Sequence, residues 1–239
     1  MKFDVTIIGA GVVGIAISYY LTKNGYKVLL IDKEKNFGMH TSSRNTEIIH
    51  AGIYYKPNTL KAKFCIEGKK LLYEFCDHYN VNYKKCGKIF VGHNLNDLNN
   101  FETIINRSSL NGLDDIYEIN KHEVTNLEPN LLGKYFLRSP SSGIFDSHKY
   151  MQILINLSYN NEFIFSPNTE LVNVDLRKEN IVLYVVENSQ LKIKINTKFM
   201  INSTGNYSID LFKKVFKEKS NYTSLPVKGN YVIYSGKSL

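Results

Sequence analysis

The sequence predicts an α/β fold in which a helix-wound parallel sheet is interleaved with a smaller α+β domain. Three observations predict it. The first is the opening run Asp4-Val-Thr-Ile-Ile-Gly9-Ala-Gly11-Val-Val-Gly14, followed by a second apolar run, Val28–Ile31, that ends on Asp32. The second is strand–helix–strand material over residues 87–145 that interrupts this pattern. The third is an alternating region after Phe163 that reads as a meander and leads to another strand and glycine turn at Ser203-Thr-Gly205.

The opening run has the order of a Rossmann-like βαβ unit: strand, glycine turn, helix, second strand, terminal carboxylate. Gly9 permits the tight turn, Gly11 lets the backbone approach a pyrophosphate, and Gly14 lets the helix pack on the strand. The helix start then offers free N–H groups and a positive dipole end to phosphates. Asp32 is placed to accept from a ribose hydroxyl. A lone glycine motif is weak, but here strand, helix and acid stand in register, so a dinucleotide site is expected.

Residues 4–8 are expected as the first strand, 12–24 as the helix with Gly25 closing it, and 28–31 as the second strand. A polar turn leads to residues 40–55. Pro57-Asn58 is expected to open a helix to about Tyr79, with Leu60, Phe64, Leu71, Leu72 and Phe75 as its apolar face. Residues 87–91 read as a strand, 97–110 as a helix and 116–119 as a short strand. Asn120 and Glu123 fit a capping box at a short helix that Pro129 ends. Residues 135–137 and 143–145 are extended, and Ser147 caps a helix to about Tyr159. Strands at 169–176, 181–186 and 191–195 form the meander. A buried strand at 199–202, a helix at 209–217 and an extended stretch at 225–234 complete the chain.

At 239 residues the chain can bury a sizeable core. Cys65, Cys76 and Cys86 have no paired spacing, so they read as reduced thiols, and no metal site is expected. Residues 5–21 carry little charge, but their fingerprint glycines argue against a signal or membrane segment. The net charge of +8 comes from scattered lysines without a nucleic-acid-binding signature. A cytoplasmic location is expected, and peripheral contact with the inner face of a membrane stays open.

The stretch His40-Thr-Ser-Ser-Arg44-Asn45-Thr-Glu-Ile-Ile-His50-Ala-Gly52-Ile-Tyr54-Tyr55-Lys56-Pro57 resembles the segment after the second strand in the D-amino-acid oxidase-like flavoproteins. The continuation through Leu60-Lys61-Ala62-Lys63 and Tyr83-Lys-Lys-Cys86-Gly87-Lys88 is similar to L-2-hydroxyglutarate dehydrogenases and oxidases. Pro140-Ser-Ser-Gly143-Ile-Phe-Asp146 and Leu225-Pro226-Val-Lys228-Gly229-Asn-Tyr231 resemble later pieces of that family. The resemblance implies FAD and an FAD-binding domain in two segments, 1–86 and 146–220. A substrate domain would occupy 87–145 and begin again at 221–239, without the family's C-terminal third. It implies a small 2-hydroxy acid substrate, L-2-hydroxyglutarate oxidised to 2-oxoglutarate by hydride transfer to flavin N5. Oxygen or a quinone would be the acceptor, and a separate C-terminal chain a conceivable partner. A related amino-acid or glycerol 3-phosphate oxidase and a non-catalytic FAD-binding fragment are the alternatives.

The same resemblance assigns site residues. Gly9, Gly11, Gly14, Asp32, Lys33, Thr41, Ser42, Ser43, Arg44, Asn45, Thr204 and Gly205 would contact the cofactor. His50 would be the general base, because an imidazole titrates near neutrality. Tyr54, Tyr55, Lys61 and Lys228 would border the substrate. Lys63 would join Lys61 in attracting a dianionic substrate. Plainer readings stand beside these: loop capping for Thr41–Ser43, a surface cation for Arg44, a satisfied turn for Asn45, core packing for the tyrosines and a solvated helix face for Lys63. Lys228 stands where the family pattern has arginine, which keeps the charge but loses the planar fork.

Overall fold

A computed structural model of the protein describes residues 2–159, 161–216 and 222–230. The chain opens with β1 (Lys2–Ile8), α1 (Val12–Lys23) and β2 (Val28–Ile31). All four residues of β2 are buried, as in a strand covered on both faces. Gly25, at φ +82°, closes α1: its N–H donates to the Thr22 carbonyl (3.0 Å) and the Tyr26 N–H to the Leu21 carbonyl (3.1 Å). This double bond pattern ends a helix on a left-handed residue.

After β3 (Ile48–Ile49) comes α2 (Leu60–Tyr79). Pro57 and Asn58 stand outside it. Asn58 has φ +62°, and Thr59 is the N-cap, its hydroxyl accepting from the Ala62 N–H at 3.2 Å. The expected apolar face is also corrected: Leu60, Phe64 and Leu71 are exposed, whereas Ala62, Tyr73 and Cys76 are buried. A helix with apolar residues on two sides has no unique inner face by periodicity. Here Tyr73 decides it, donating its hydroxyl to the Ser141 carbonyl (3.1 Å).

The next elements are β4 (Tyr83–Lys84), β5 (Lys88–Gly92), α3 (Leu95–Leu110), β6 (Tyr117–Glu118), α4 (Lys121–Leu127), β7 (Tyr135–Ser139) and β8 (Gly143–Phe145). Reciprocal capping boxes open α3 (Asn94 with Asp97) and α4 (Asn120 with Glu123), which moves the start of α3 ahead of the expected residue 97. Then follow α5 (Ser147–Ser158), β9 (Phe163–Ser166), β10 (Thr169–Leu176), β11 (Ile181–Glu187), β12 (Leu191–Asn202) and α6 (Ser208–Phe216). Residues 222–230 are neither helix nor strand, so the strand expected from Leu225 is absent there, and its residues 231–234 lie outside the described residues.

The structure divides into two compact units, one made by the described residues up to Asn45 with those from Ser147 onward, the other by Thr46–Asp146. This places the first boundary at Asn45/Thr46, where the sequence suggested 86/87. The physical reason is strand pairing: β8 lies between β3 and β4, so the segment carrying β3 and α2 folds with residues 83–145.

The first unit holds a six-stranded sheet in the order β10-β11-β12-β1-β2-β9. The strands from β12 to β9 run parallel, and β10, β11 and β12 form an antiparallel meander. β12 belongs to both, so the two strands expected at 191–195 and 199–202 are one. The polar Asn196-Thr197-Lys198 reads as a break, yet Thr197 is buried and paired with Phe3 on one side and Ile181 on the other. The hairpin from β11 to β12 turns through Asn188 (φ +48°) and Ser189 (φ +59°), the mirror-image turn that suits strand twist. Phe3, Ile8, Leu29, Ile31, Leu183, Val185 and Ile195 form a buried hydrophobic cluster of this unit.

The second unit has two three-stranded sheets, β3-β8-β4 and β5-β7-β6. Its core joins Ala51 and Ile53 to Phe101, Leu113, Ile116 and Leu137.

Candidate functional site

In the first unit the glycine turn is built by backbone sterics. Gly9 has φ +103°, and a side chain there would meet the Ser203 carbonyl oxygen at 2.6 Å. A side chain at Gly14 would run into the Gly9 carbonyl, so helix α1 rests directly on the turn. Gly11 is less constrained: an added Cβ would meet only the Ser42 hydroxyl, at 3.1 Å. Asp32 is the tie between the turn and β2. Its Oδ2 accepts from the Ala10 N–H (2.7 Å) and its Oδ1 from the Glu34 N–H (2.9 Å). A carboxylate has about four acceptor sites, so further donors can still be taken.

Beyond Asp32 lies an open cavity of about 330 Å³ lined by Lys33, Asn168, Glu170, Val186, Asn188 and Ser189. Backbone bonds fix it to the end of β2: the Thr169 N–H donates to the Asp32 carbonyl (2.7 Å) and the Asn168 N–H to the Glu34 carbonyl (2.8 Å). The Lys33 ammonium rests 4.5 Å from the centre of the Tyr207 ring. Asn168 and Glu170, like Ser203, were not singled out in the sequence. Ser203 donates to the Ile8 carbonyl (3.0 Å) and pins the end of β12 to the turn.

The segment after β2 closes on this cradle. Thr41–Ser43 is a single 3-10 turn, and Ser42 Oγ accepts from the Val12 N–H (3.0 Å), taking one of the donors that open α1. Ser43 donates to the His40 carbonyl (3.1 Å) and Asn45 Nδ2 to the Ser42 carbonyl (2.9 Å). These are the loop-capping geometries; Thr41, Ser43, Arg44 and Asn45 are exposed. Thr204 stands at the start of the short 3-10 turn Gly205–Tyr207, and its hydroxyl donates to Asn202 Oδ1 at 2.7 Å instead of capping the turn. Gly205, at φ +57°, has open space where a side chain would stand. Lys228 is exposed, in the stretch without regular structure.

In the second unit His50 directly follows β3. The residues after it are anchored in the core: Ala51 and Ile53 are buried, and two side chains of the α3 end hold the backbone. Asn111 Nδ2 donates to the Tyr55 carbonyl (2.9 Å) and the Gly52 carbonyl (3.4 Å), and Arg107 to the Tyr54 carbonyl (3.4 Å). Tyr54 packs edge-on against Phe90 (5.6 Å between centroids) and accepts from the Lys88 ammonium at 3.3 Å. Lys61 lies over the Tyr55 ring at 4.7 Å. The Cys65 thiol donates to the His50 carbonyl.

Partial burial, then the charges of Lys88 and Lys61, hold the His50 imidazole below its ordinary range. Burial first, with Cys65 and Tyr54 adding to it, pushes the Tyr55 phenol up. His50, Tyr54, Tyr55 and Lys61 therefore lie in one neighbourhood, with Lys88 as a further member. Asn111 and Arg107 were not singled out in the sequence, and Lys88 was named only as the end of the stretch from Tyr83 that carries the family resemblance. Pro140–Asp146 is structural here: Gly143 leaves no room for a side chain beside Tyr73 and the Lys84 carbonyl, and Gly87 donates to the Ser142 carbonyl (2.9 Å).

Comparison with known proteins gives a consistent picture. The profile of the DAO family, described as FAD dependent oxidoreductase, matches residues 4–239. The chain is 32% identical over 267 residues to a mitochondrial L-2-hydroxyglutarate dehydrogenase of Arabidopsis thaliana, covering 98% of this chain and 54% of that protein. The corresponding protein of Caenorhabditis elegans is 44% identical over 147 residues, 61% of this chain and 34% of its own length. The chain thus spans about half, or less, of the curated relatives it matches. Among solved structures, an L-alpha-glycerophosphate oxidase of Mycoplasma pneumoniae with FAD bound superimposes with a TM-score of 0.82 and 26% identity, over 90% of this chain and 57% of that one. L-proline dehydrogenase from P. horikoshii, at 18% identity and a TM-score of 0.79 over 92% of this chain and 57% of that one, shares the fold.

Proposed function

The chain belongs to the FAD-dependent oxidoreductase (DAO) family, and from that premise we propose that it oxidises L-2-hydroxyglutarate, or a similar 2-hydroxy acid, to the 2-oxo acid. The observation that carries this reading is His50, exposed, held toward its neutral form and flanked by two lysines. A neutral imidazole is a base, and flanking cations attract a carboxylate substrate.

The cofactor of the family is FAD, and the first unit fits it. The room that side chains at Gly9 and Gly14 would fill forms the cradle for a diphosphate at the start of α1. Asp32 keeps acceptor capacity for ribose hydroxyls, and the cavity bounded by Lys33, Asn168 and Glu170 has the size for an adenine. Ser42 would meet the diphosphate there, giving up the bond it accepts from the Val12 N–H. When bound, FAD supplies the acceptor for the substrate C2 hydrogen and its electron pair. The chain's own part is to fix the substrate and take the proton. His50 accepts the C2 hydroxyl proton as the carbonyl forms, becoming an imidazolium, and Lys61 holds a carboxylate. Oxygen or a quinone would be the final electron acceptor. No helix among the described residues is long and apolar enough to cross a membrane. Three free thiols suit a reducing compartment, and we place the chain in the cytoplasm.

The likeness to the glycerophosphate oxidase favours a second reading, oxidation of glycerol 3-phosphate. The test is anaerobic titration of the purified yellow protein with each substrate. Bleaching of the flavin band by L-2-hydroxyglutarate alone is the expected result. Bleaching by glycerol 3-phosphate alone supports the second reading, and a flavin spectrum unmoved by either refutes both.

A further inference from the structure

Lysines of the second unit differ in what their ammonium groups meet: Lys69 donates to Ser141, and Lys85 and Lys121 lie over the rings of Tyr73 and Phe136. On α2, Lys63 and Lys70 each have an acid one turn later, at 3.9 Å to Glu67 and 3.9 Å to Glu74. Such exposed pairs are ordinary helix-surface features. Lys61 lies on the same helix, but one turn later stands Cys65, and its ammonium rests on the Tyr55 ring instead. Lys88, at the start of β5, is half-buried. Its ammonium donates to the Tyr54 hydroxyl and lies 5.2 Å from the Tyr54 ring centre and 5.9 Å from that of Phe90. Among the described residues neither Lys61 nor Lys88 has a carboxylate partner.

Two consecutive tyrosines thus each present one cation without an anion, and both cations act on the same imidazole. The tyrosines are preorganised, because Asn111 and Arg107 hold their carbonyls. An aromatic ring steadies an ammonium without neutralising it. An ammonium has three N–H donors, and Tyr54 takes one of those on Lys88. What remains is matched by a ligand with two separated carboxylates and a hydroxyl or carbonyl between them.

We propose that Lys88 and Lys61 form a two-pronged receptor for a dicarboxylate, and that Lys88 is the specificity residue that separates dicarboxylates from monocarboxylates of the same length. The inference rests on the reading of His50 as part of the substrate site. It adds a residue and a rule of selection: an acid with one carboxylate leaves one ammonium unmatched in a partly desolvated place.

The test compares glutarate with pentanoate, five-carbon acids with two carboxylates and one, by calorimetry on the full chain as purified. The wild-type protein is expected to bind glutarate more tightly. Lys88→Gln should weaken glutarate about ten- to hundredfold, the range of a charge-assisted hydrogen bond, and pentanoate less than about twofold. Lys88→Arg should recover most of the difference, and Lys63→Gln should change neither. Lys88→Gln should also move the His50 titration, read by its ring-proton NMR signals, upward. The groups that face His50 there are Lys88 from β5 and Lys61 from α2, with the Cys65 thiol on its carbonyl. Equal weakening of both acids, no weakening of either, no glutarate binding by the wild type, or reproduction of the Lys88→Gln profile by Tyr54→Phe would overturn the proposal. Flavin bleaching with an unchanged glutarate preference in Lys88→Gln removes the receptor and leaves the reaction standing. A preference lost in Lys88→Gln without bleaching removes the reaction and leaves the receptor.

Discussion

The glycine cradle and the His50 loop are built in opposite ways. The cradle is held by main chain: Gly9 against the Ser203 carbonyl, Gly14 against the Gly9 carbonyl, and Asp32 on two backbone N–H groups. The His50 loop is held by side chains that come from far along the sequence, Asn111, Arg107 and Lys88. A site made from main-chain approach tolerates no added atom but needs few specific partners. A site made from remote side chains tolerates local change but fails when one distant donor is lost.

The largest effect expected on this comparison is chemical. His50→Ala should lower the rate of flavin reduction by about 10²–10⁴-fold while flavin content stays at the wild-type level. Rapid-mixing absorbance measures both, and loss of flavin together with rate would erase the distinction between the regions.

Next is Gly14→Ala. The new methyl meets main chain that cannot step aside, so a loss of about 1–3 kcal/mol or more and of bound flavin is expected. Gly11→Ala, facing only the Ser42 hydroxyl, should fold with a melting temperature near wild type. Equal behaviour of the two would show that the turn is not held by close approach.

Asn111→Ala should cost about 1–3 kcal/mol by stripping a donor from the Gly52 and Tyr55 carbonyls. Hydrogen exchange should accelerate at residues 51–55 and leave the glycine turn unchanged. Acceleration in both places would mean that the two regions do not open separately.

The smallest effect is the His50 titration. Its folded value lies below the ordinary 6.5, first by burial and then by Lys88 and Lys61. Protonation therefore favours the unfolded chain: the stability share is complete above pH 6.5 and is lost as pH falls through the folded value. The lowered value favours the neutral ring at pH 7. An NMR midpoint above 6.5 would contradict this.

Much of the fold is legible in the sequence because its signals are local. Capping at Asn120, closure of α1 at Gly25 and the Asn188-Ser189 hairpin each depend on a few adjacent residues, and each stands where the pattern put it. Less local features misled it. Thr197 sits in a polar trio that reads as a strand break, yet strands on both sides pair it into one continuous β12. Leu60, Phe64 and Leu71 have helical spacing, yet Tyr73 turned a different side of α2 inward. The candidate site divides in the same way. Gly9, Gly14 and Asp32 form a pattern in themselves, whereas Lys88 becomes meaningful only beside Tyr54.

The sequence alone therefore determined the βαβ unit, the meander and the dinucleotide cradle, because glycine sterics and side-chain periodicity act between near neighbours. Tertiary structure alone decided which face of α2 is buried, where the two units divide and which remote donors hold the His50 loop. Those outcomes depend on hydrogen bonds and charges between residues far apart in the chain, whose meeting no local pattern encodes.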